Sequence, residues 1–289
     1  MNMQRPSGWL LCLALLAASV GASAELATLP NGDRYQGEVT DGVLNGPGIY
    51  LWADGDRYEG TFLNALPHGE GTYTWGDGRQ YVGDFVEGKR QGQGELSWPN
   101  GDRFTGSFVD NERQGSGLMR WHTGERYRGQ FVAGDMHGQG EYLWPNGNRH
   151  VGTFDRDQRS GAGIFLRADG SSWSGVFLEG EPRGLGIERQ KSGAITLQRR
   201  ESGQLLEQTP VADNPRCRSL ESPTVWMVQA DDCINGLAHG NGIAATLNGE
   251  KLVANGRWVL GVLIDGAVQD LPKLPAVTAE VDLVSPVDG

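Results

Sequence analysis

From residue 55 to residue 77 the chain reads GDRYEGTFLNALPHGEGTYTWGD, and its apolar and polar positions form two alternating runs. Tyr58, Gly60 and Phe62 alternate with Arg57, Glu59 and Thr61; further on, Gly69, Gly71, Tyr73 and Trp75 alternate with Glu70, Thr72 and Thr74. Alternation with period two marks a strand that has one apolar and one polar face. The stretch therefore predicts two strands separated by a six-residue loop, LNALPH. A tight turn at Asp-Gly or Asn-Gly leads into the next pair, since such dipeptides accept the positive φ that two-residue hairpins need.

The unit recurs. The glycine of the turn falls at Gly32, Gly55, Gly78, Gly101, Gly124, Gly147, Gly170 and Gly193, always 23 residues apart. Self-similarity at a fixed period is the mark of a repeat architecture, and one hairpin per unit predicts a meander of about fifteen strands. The side chains then form columns on one face. One is Tyr35, Tyr58, Tyr81, Phe104, Tyr127, His150 and Trp173; a second is Val39, Phe62, Phe85, Phe108, Phe131, Phe154 and Phe177; a third is Trp52, Trp75, Trp98, Trp121, Trp144 and Arg167. Small glycines between the large residues (Gly37, Gly60, Gly83, Gly106, Gly129, Gly152, Gly175) let the sheet curl and the rings close over the backbone.

The YxGxF…GxG unit at this spacing resembles the MORN repeat (membrane occupation and recognition nexus), with seven matches of falling quality over roughly residues 30 to 192. The resemblance implies an all-β fold, an elongated antiparallel β-hairpin repeat solenoid, here assigned to residues 25–198. At about 4.8 Å per strand, seven units would extend roughly 70 Å. Some members of the family carry a lipid kinase or methyltransferase beside their repeats, but the residues after Gly193 are too few and too repeat-like for either.

The pattern decays toward the C-terminus. Residues 199–216, RRESGQLLEQTPVADNPR, are polar and predict an irregular insertion or linker. The frame then returns, with CINGLAHGNG at 233–242 aligning with FLNALPHGEG at 62–71. Residues 217–266 are read as a divergent terminal repeat, a cap of the kind repeat arrays need to cover their last open edge. The remainder, 267–289, is Pro- and Val-rich without periodicity and is read as a flexible tail.

Composition sharpens this picture. Glycine is 45 of 289 residues, about twice the usual share, yet 9 Trp, 7 Tyr and 8 Phe are not those of a disordered glycine-rich tract. The first 24 residues stand apart: Arg5, the apolar run WLLCLALLAASV, and the small-x-small sequence Ala22-Ser23-Ala24 predict a signal peptide cleaved after Ala24. The expected location is periplasmic or secreted, with no transmembrane span in the mature chain. Loss of Arg5 takes the net charge from −11 to −12, which disfavours nucleic acid and anionic bilayers as bulk partners. Cys12 leaves with the signal; Cys217 and Cys233, sixteen residues apart, are most simply a disulfide in an exported protein and would staple the cap.

Chemistry is sparse. No nucleophile elbow, phosphate-binding glycine loop, HExxH or CxxC is present, and no catalytic residue, cofactor or metal is expected. His68, His137 and His239 share one loop slot, held in other units by Asn45, Gln91, Gln114, Ser160 and Arg183. Two of these histidines three units apart, roughly 30 Å, cannot share a metal. Two columns remain as candidate partner or ligand surfaces: Trp52, Trp75, Trp98, Trp121 and Trp144 as an aromatic platform, and Arg34, Arg57, Arg103, Arg126 and Arg149 on the polar face, flanked by Asp33, Asp56, Asp102 and Glu125. The leading reading is a non-enzymatic exported scaffold or adaptor that binds an unidentified protein in the cell envelope. The alternative is a module that binds a glycan, peptidoglycan or phospholipid headgroup through these columns.

Overall fold

The computed structural model of the protein describes residues 27–210, 217–218, 226–234, 237–246, 251–259, 262–266 and 268–270. The segment expected to be a signal peptide lies outside the described residues, as do 211–216 and 271–289. Two compact units divide the chain: Met1–Pro145 with Asp155–Asp157, and Asn146–Phe154 with Gln158–Gly289. In the first, β1 (Ala27–Thr28) precedes five hairpins: β2 (Arg34–Thr40) with β3 (Val43–Leu51), β4 (Arg57–Leu63) with β5 (Leu66–Thr74), β6 (Gln80–Val86) with β7 (Lys89–Ser97), β8 (Arg103–Val109) with β9 (Glu112–Arg120), and β10 (Arg126–Val132) with β11 (Asp135–Leu143). Each strand pairs antiparallel with the next.

The second unit continues with β12 (Arg149–Asp155, all but its last residue), β13 (Gln158–Leu166), β14 (Ser172–Leu178), β15 (Glu181–Arg189), β16 (Ile195–Glu201) and β17 (Gln204–Pro210). The hairpin meander thus has seventeen strands, more than the fifteen or so expected, and it is open: β1 pairs with β2 and β17 with β16.

The turns are distributed differently from the sequence expectation. LNALPH is not a six-residue loop: Leu63 pairs with Leu66, Phe62 with Pro67 and Thr61 with His68. The connection is two residues, Asn64 (φ 50°) and Ala65 (φ 63°), the left-handed pair of a type I′ turn, whose twist matches that of the strands. The Asp-Gly and Asn-Gly turns lie at the other end of each hairpin and are longer. Trp52 N–H donates to Asp56 O (2.9 Å) and Gly55 N–H to Trp52 O (3.0 Å), a three-residue loop closed by glycine at φ 99°.

The two glycines of the GxG element have separate causes. Gly69 adopts φ 66° where the register slips between Gly60 and Thr61, a bulge that needs the left-handed region. Gly71 lies beneath a ring: a Cβ there would come within 2.5 Å of the Tyr58 hydroxyl, and one at Gly60 would meet the same oxygen at 2.5 Å. The tyrosine therefore lies flat over two paired glycines, and its hydroxyl donates to Thr61 O (3.0 Å).

This geometry makes a core out of a single sheet. Phe62 stands edge-on to Tyr58 of its own hairpin (5.0 Å, 86°) and to Tyr35 of the preceding one (5.6 Å, 85°). Phe85 bridges Tyr81 and Tyr58 in the same way, Phe108 bridges Phe104 and Tyr81, and Phe131 bridges Tyr127 and Phe104. In the second unit Phe177 bridges Trp173 and His150. These rings are 0–4 % exposed. Each is worth about 1.5–3 kcal/mol in burial and each edge-to-face pair about 0.5–1.5 kcal/mol more. Val39 is the exception in the phenylalanine column: it is 45 % exposed, although the register shifts there just as it does at the buried Phe85 and Phe108.

Three further sequence assignments need correction. Residues 199–210 are not irregular, since β16 and β17 pair from Thr196↔Pro210 to Glu201↔Gln204 across the turn Ser202-Gly203. The two ring slots and the glycine slot between them are polar there: Thr196, Arg200 and Gln198, linked by Arg200 Nε donating to Gln198 Oε1 (2.9 Å) and Gln198 Nε2 to Thr196 Oγ1 (3.4 Å). The segment read as a flexible tail starts with a strand, for β23 (Val268–Asp270) pairs with β21 (Lys251–Val259).

The region read as a cap forms a separate sheet, with β18 (Cys217–Arg218), β19 (Trp226–Ile234), β20 (Leu237–Thr246), β21, β22 (Val262–Asp265) and β23. Its hairpin register, Cys233↔Ala238 and Asp232↔His239, repeats that of Phe62↔Pro67 and Thr61↔His68. Cys217 stands opposite Val228, so the two cysteines do not form one cross-strand pair. Their side chains lie outside the described residues.

Candidate interaction surface

The two expected columns lie on opposite faces, so one small ligand cannot touch both. Trp52, Trp75, Trp98, Trp121 and Trp144 are half-buried along the ring face. Trp52 leans on Tyr50 (4.6 Å) and Tyr73 (5.3 Å), Trp75 on Tyr73 (4.7 Å), and Tyr142 contacts both Trp121 (5.5 Å) and Trp144 (4.5 Å). Part of each indole still meets solvent.

A set of arginines missed in the sequence lies on this same face. Arg90, opposite Phe85, sits over Trp75 (5.5 Å), Tyr81 (5.6 Å) and Phe108 (5.3 Å) and donates from Nη2 to Asn111 O (2.6 Å). Arg113 covers Phe104 and Phe131 and donates to Gly134 O; Arg159 covers Phe165 and Phe177 and donates to Gly180 O. Burial pushes the Arg90 guanidinium down to about 10 and lowers Arg113 and Arg159 for the same reason, which leaves them charged at neutral pH. They act as lids on the rings, held by cation–π attraction. Their signal was the position itself, held elsewhere by Pro67, Met136 and Pro182, next to the phenylalanine of the partner strand.

The acids that flank the arginine column join one hairpin to the next. Asp56 accepts from Tyr73 Oη (2.5 Å) and Gly76 N (2.9 Å), and Asp33 accepts from Tyr50 Oη (2.7 Å) and Ala53 N (2.8 Å). Asp102 binds His122 at both its backbone N (2.8 Å) and Nδ1 (2.8 Å). These acids therefore do not neutralise the arginine column beside them. At the opposite end, Asn45, Gln91 and Gln114, from the slot that also holds His68 and His137, accept from the turn amides of Asn64, Asp110 and Ala133. His137 faces Asp155 at 3.4 Å. Among the described residues no three His, Cys, Asp or Glu side chains converge as a metal site.

His150 departs from its column. Its ring is fully buried and neither nitrogen has a partner, because an imidazole is too short to make the contact that Tyr127 makes with Gln130 O (3.0 Å). Burial, reinforced by the charge of Arg159, pushes its pKa down to about 3. In the tyrosines the direction is upward: burial raises the hydroxyls of Tyr35 and Tyr58 to about 12. These are groups of the core and stay neutral.

The polar face carries the expected arginine column unevenly. Arg57 pairs with Glu59, and Arg103 Nη1 with Glu95 Oε1 (2.7 Å). Arg34 and Arg126 are exposed, and Arg149, in the second unit, is half-buried. Sequence reading missed two exposed neighbours, Arg120 and Arg128. Register brings Arg120 opposite both Arg103 and Arg126. Further along the same face an aliphatic row, Leu63, Val86, Val109 and Val132, is 47 %, 44 %, 45 % and 43 % exposed.

Six successive stretches match the MORN repeat model: residues 35–57, 58–78, 81–103, 104–126, 127–149 and 150–172. The chain thus carries six MORN repeats, a non-enzymatic kind of module that in general binds proteins or membranes. The seventh unit read from the sequence, beginning at Trp173, is not among the matches. No curated protein matches the chain. Solved structures that resemble it include the TCP domain of Drosophila melanogaster SAS-4 (dCPAP) in complex with a proline-rich motif of Ana2 (dSTIL), at 11 % identity over 69 % of this chain and 100 % of that one, TM-score 0.37. The G-box domain of the microcephaly protein CPAP matches at 16 % identity over 65 % and 97 %, TM-score 0.28. Staphylococcus aureus virginiamycin B lyase matches at 9 % identity over 83 % and 88 %, TM-score 0.16. At such TM-scores these likenesses carry no argument about function.

Proposed function

We propose that this chain is a non-enzymatic scaffold or adaptor, exported to the cell envelope, whose repeat sheet binds another protein. One observation carries the reading: the polar face leaves Leu63, Val86, Val109 and Val132 exposed at the same position of four successive hairpins. A single exposed aliphatic is ordinary, whereas an in-register row of them forms a contact surface. Export rests on the apolar run before Ala24, and with it the pairing of Cys217 and Cys233 as a disulfide of the terminal sheet.

The test is crosslinking in the native envelope followed by mass spectrometry. The reading expects a mature N-terminus at Glu25, a partner crosslinked through residues 63–132, and Cys217 and Cys233 protected from alkylation until reduction. A chain recovered in the cytoplasm, or one that crosslinks to no protein, refutes it. The half-buried tryptophans on the ring face support a second reading, a module for an envelope glycan. Retention on a glycan array that disappears on Trp98→Ala would favour that over the scaffold.

A further inference from the structure

We propose that the outward face of β8, β9 and β10 docks an acidic segment of a partner protein, read by Arg103, Arg120, Arg126 and Arg128. This inference rests on the scaffold reading and names its partner class. Arg103 stands directly opposite Arg120, and Arg120 directly opposite Arg126, so three guanidinium stems rise from adjacent strands with Cβ atoms about 4.5–5.5 Å apart. Arg128 follows two residues along β10 and therefore shares their face. All four are exposed, and among the described residues Arg103 alone of the four has an ion-pair partner, Glu95 at 2.7 Å. Like charges directly opposite one another destabilise a sheet, and among the described residues Arg120 and Arg126 form no ion pair, while Arg128 has Glu141 opposite it on β11. The row sits in a chain of net charge −11, so it is a local reversal of sign.

Three features specify the occupant. Guanidinium forks match carboxylates in a planar, two-pronged geometry, and the spacing of the row fits acidic side chains at alternate positions of a strand or at i and i+4 of a helix. On the same face of the same strands Val109 and Val132 are 45 % and 43 % exposed, offering apolar contact beside the charges. An extended polyanion such as nucleic acid or an anionic bilayer would meet the acidic remainder of the chain, which a short protein segment avoids.

The experiment is fluorescence anisotropy with a labelled synthetic peptide of about fifteen residues made of Glu and Leu, with its Lys and Leu counterpart as control. The full chain is compared with the Arg120→Glu/Arg126→Glu variant. Binding of the acidic peptide that salt weakens, and that the variant loses at least about tenfold, is the expected result. Equal affinity in the two chains overturns the proposal. So does sedimentation with anionic phospholipid vesicles that the variant abolishes while the peptide stays unbound. The double Glu variant turns the opposition of 103 and 120 into an ion pair but leaves like charges facing each other at 120 and 126, so Arg120→Gln/Arg126→Gln, which removes both oppositions and should melt no lower than the parent, serves as the second variant. A partner crosslinked equally by parent and variant leaves the scaffold standing and rejects this face. A parent that binds the peptide but crosslinks nothing rejects the envelope scaffold and keeps the face.

Discussion

Replacing His150 by phenylalanine should stabilise the second unit, against the usual direction of core substitutions. His150 occupies the slot held by Tyr81, Phe104 and Tyr127 in earlier hairpins and packs edge-on to Phe154 (5.4 Å) and Phe177 (4.5 Å). It is fully buried, and both ring nitrogens are unpartnered. An unsatisfied buried polar atom costs about 1–3 kcal/mol, and Phe104 shows that the slot takes a benzene ring between two phenylalanines. A gain of about 1–3 kcal/mol at pH 7 follows. The pH dependence is sharper. With a folded pKa near 3 and an unfolded value near 6.5, the unfolded state binds the extra proton between those limits, so the parent loses stability as pH falls through that window. The advantage of His150→Phe should therefore widen by about 1.4 kcal/mol per pH unit below about 6.5 and level off near pH 3. Carboxylates titrate alike in both chains and cancel in the difference. Urea titration followed by hydrogen exchange in peptides spanning residues 146–178, at several pH values, reads the gap in this unit. A variant less stable than the parent at pH 7, or a gap independent of pH, would refute the reasoning.

Other perturbations follow from the same geometry. Gly71→Ala pushes a Cβ to 2.5 Å from the Tyr58 hydroxyl and should cost about 1–3 kcal/mol or more in urea denaturation. Phe85→Ala removes the ring that bridges Tyr58 and Tyr81 and should cost about 3–5 kcal/mol, whereas Val86→Ala, at an exposed position, should stay within about 0.5 kcal/mol by the same assay. Asp56→Ala removes the acceptor to which the Tyr73 hydroxyl and the Gly76 amide donate and should cost about 0.5–1.5 kcal/mol, with faster hydrogen exchange at the turn after Thr74.

What could be read from the sequence was what repeats. A 23-residue period and alternating side chains were enough to place the Tyr and Phe columns on one face, because strand parity fixes the face once the register is known. The turn type was not legible. Asn64-Ala65 carries no glycine, yet both residues are left-handed, and the Asp-Gly pair drew attention to the wrong end of the hairpin. The frame reads as ending at Arg199, since polar residues in the ring and glycine slots resemble a linker until Gln198 and Arg200 are seen bonded to each other. The arginines show the limit most clearly. Arg57 and Arg103 stand at equivalent positions, but their surroundings depend on cross-strand neighbours that lie 6 to 17 residues away, Arg120 being opposite both Arg103 and Arg126. No local window holds that juxtaposition.

The central claim is that Phe62, Phe85, Phe108, Phe131 and Phe177 each join two successive hairpins by standing edge-on to both their rings. Nuclear Overhauser contacts between selectively labelled aromatic protons test it directly. Phe85 is predicted to show ring contacts with both Tyr81 and Tyr58, at centroid separations of 5.2 Å and 5.2 Å, and Phe108 with both Phe104 and Tyr81. Contacts confined to the ring of the same hairpin, with none to the hairpin before it, would contradict the account.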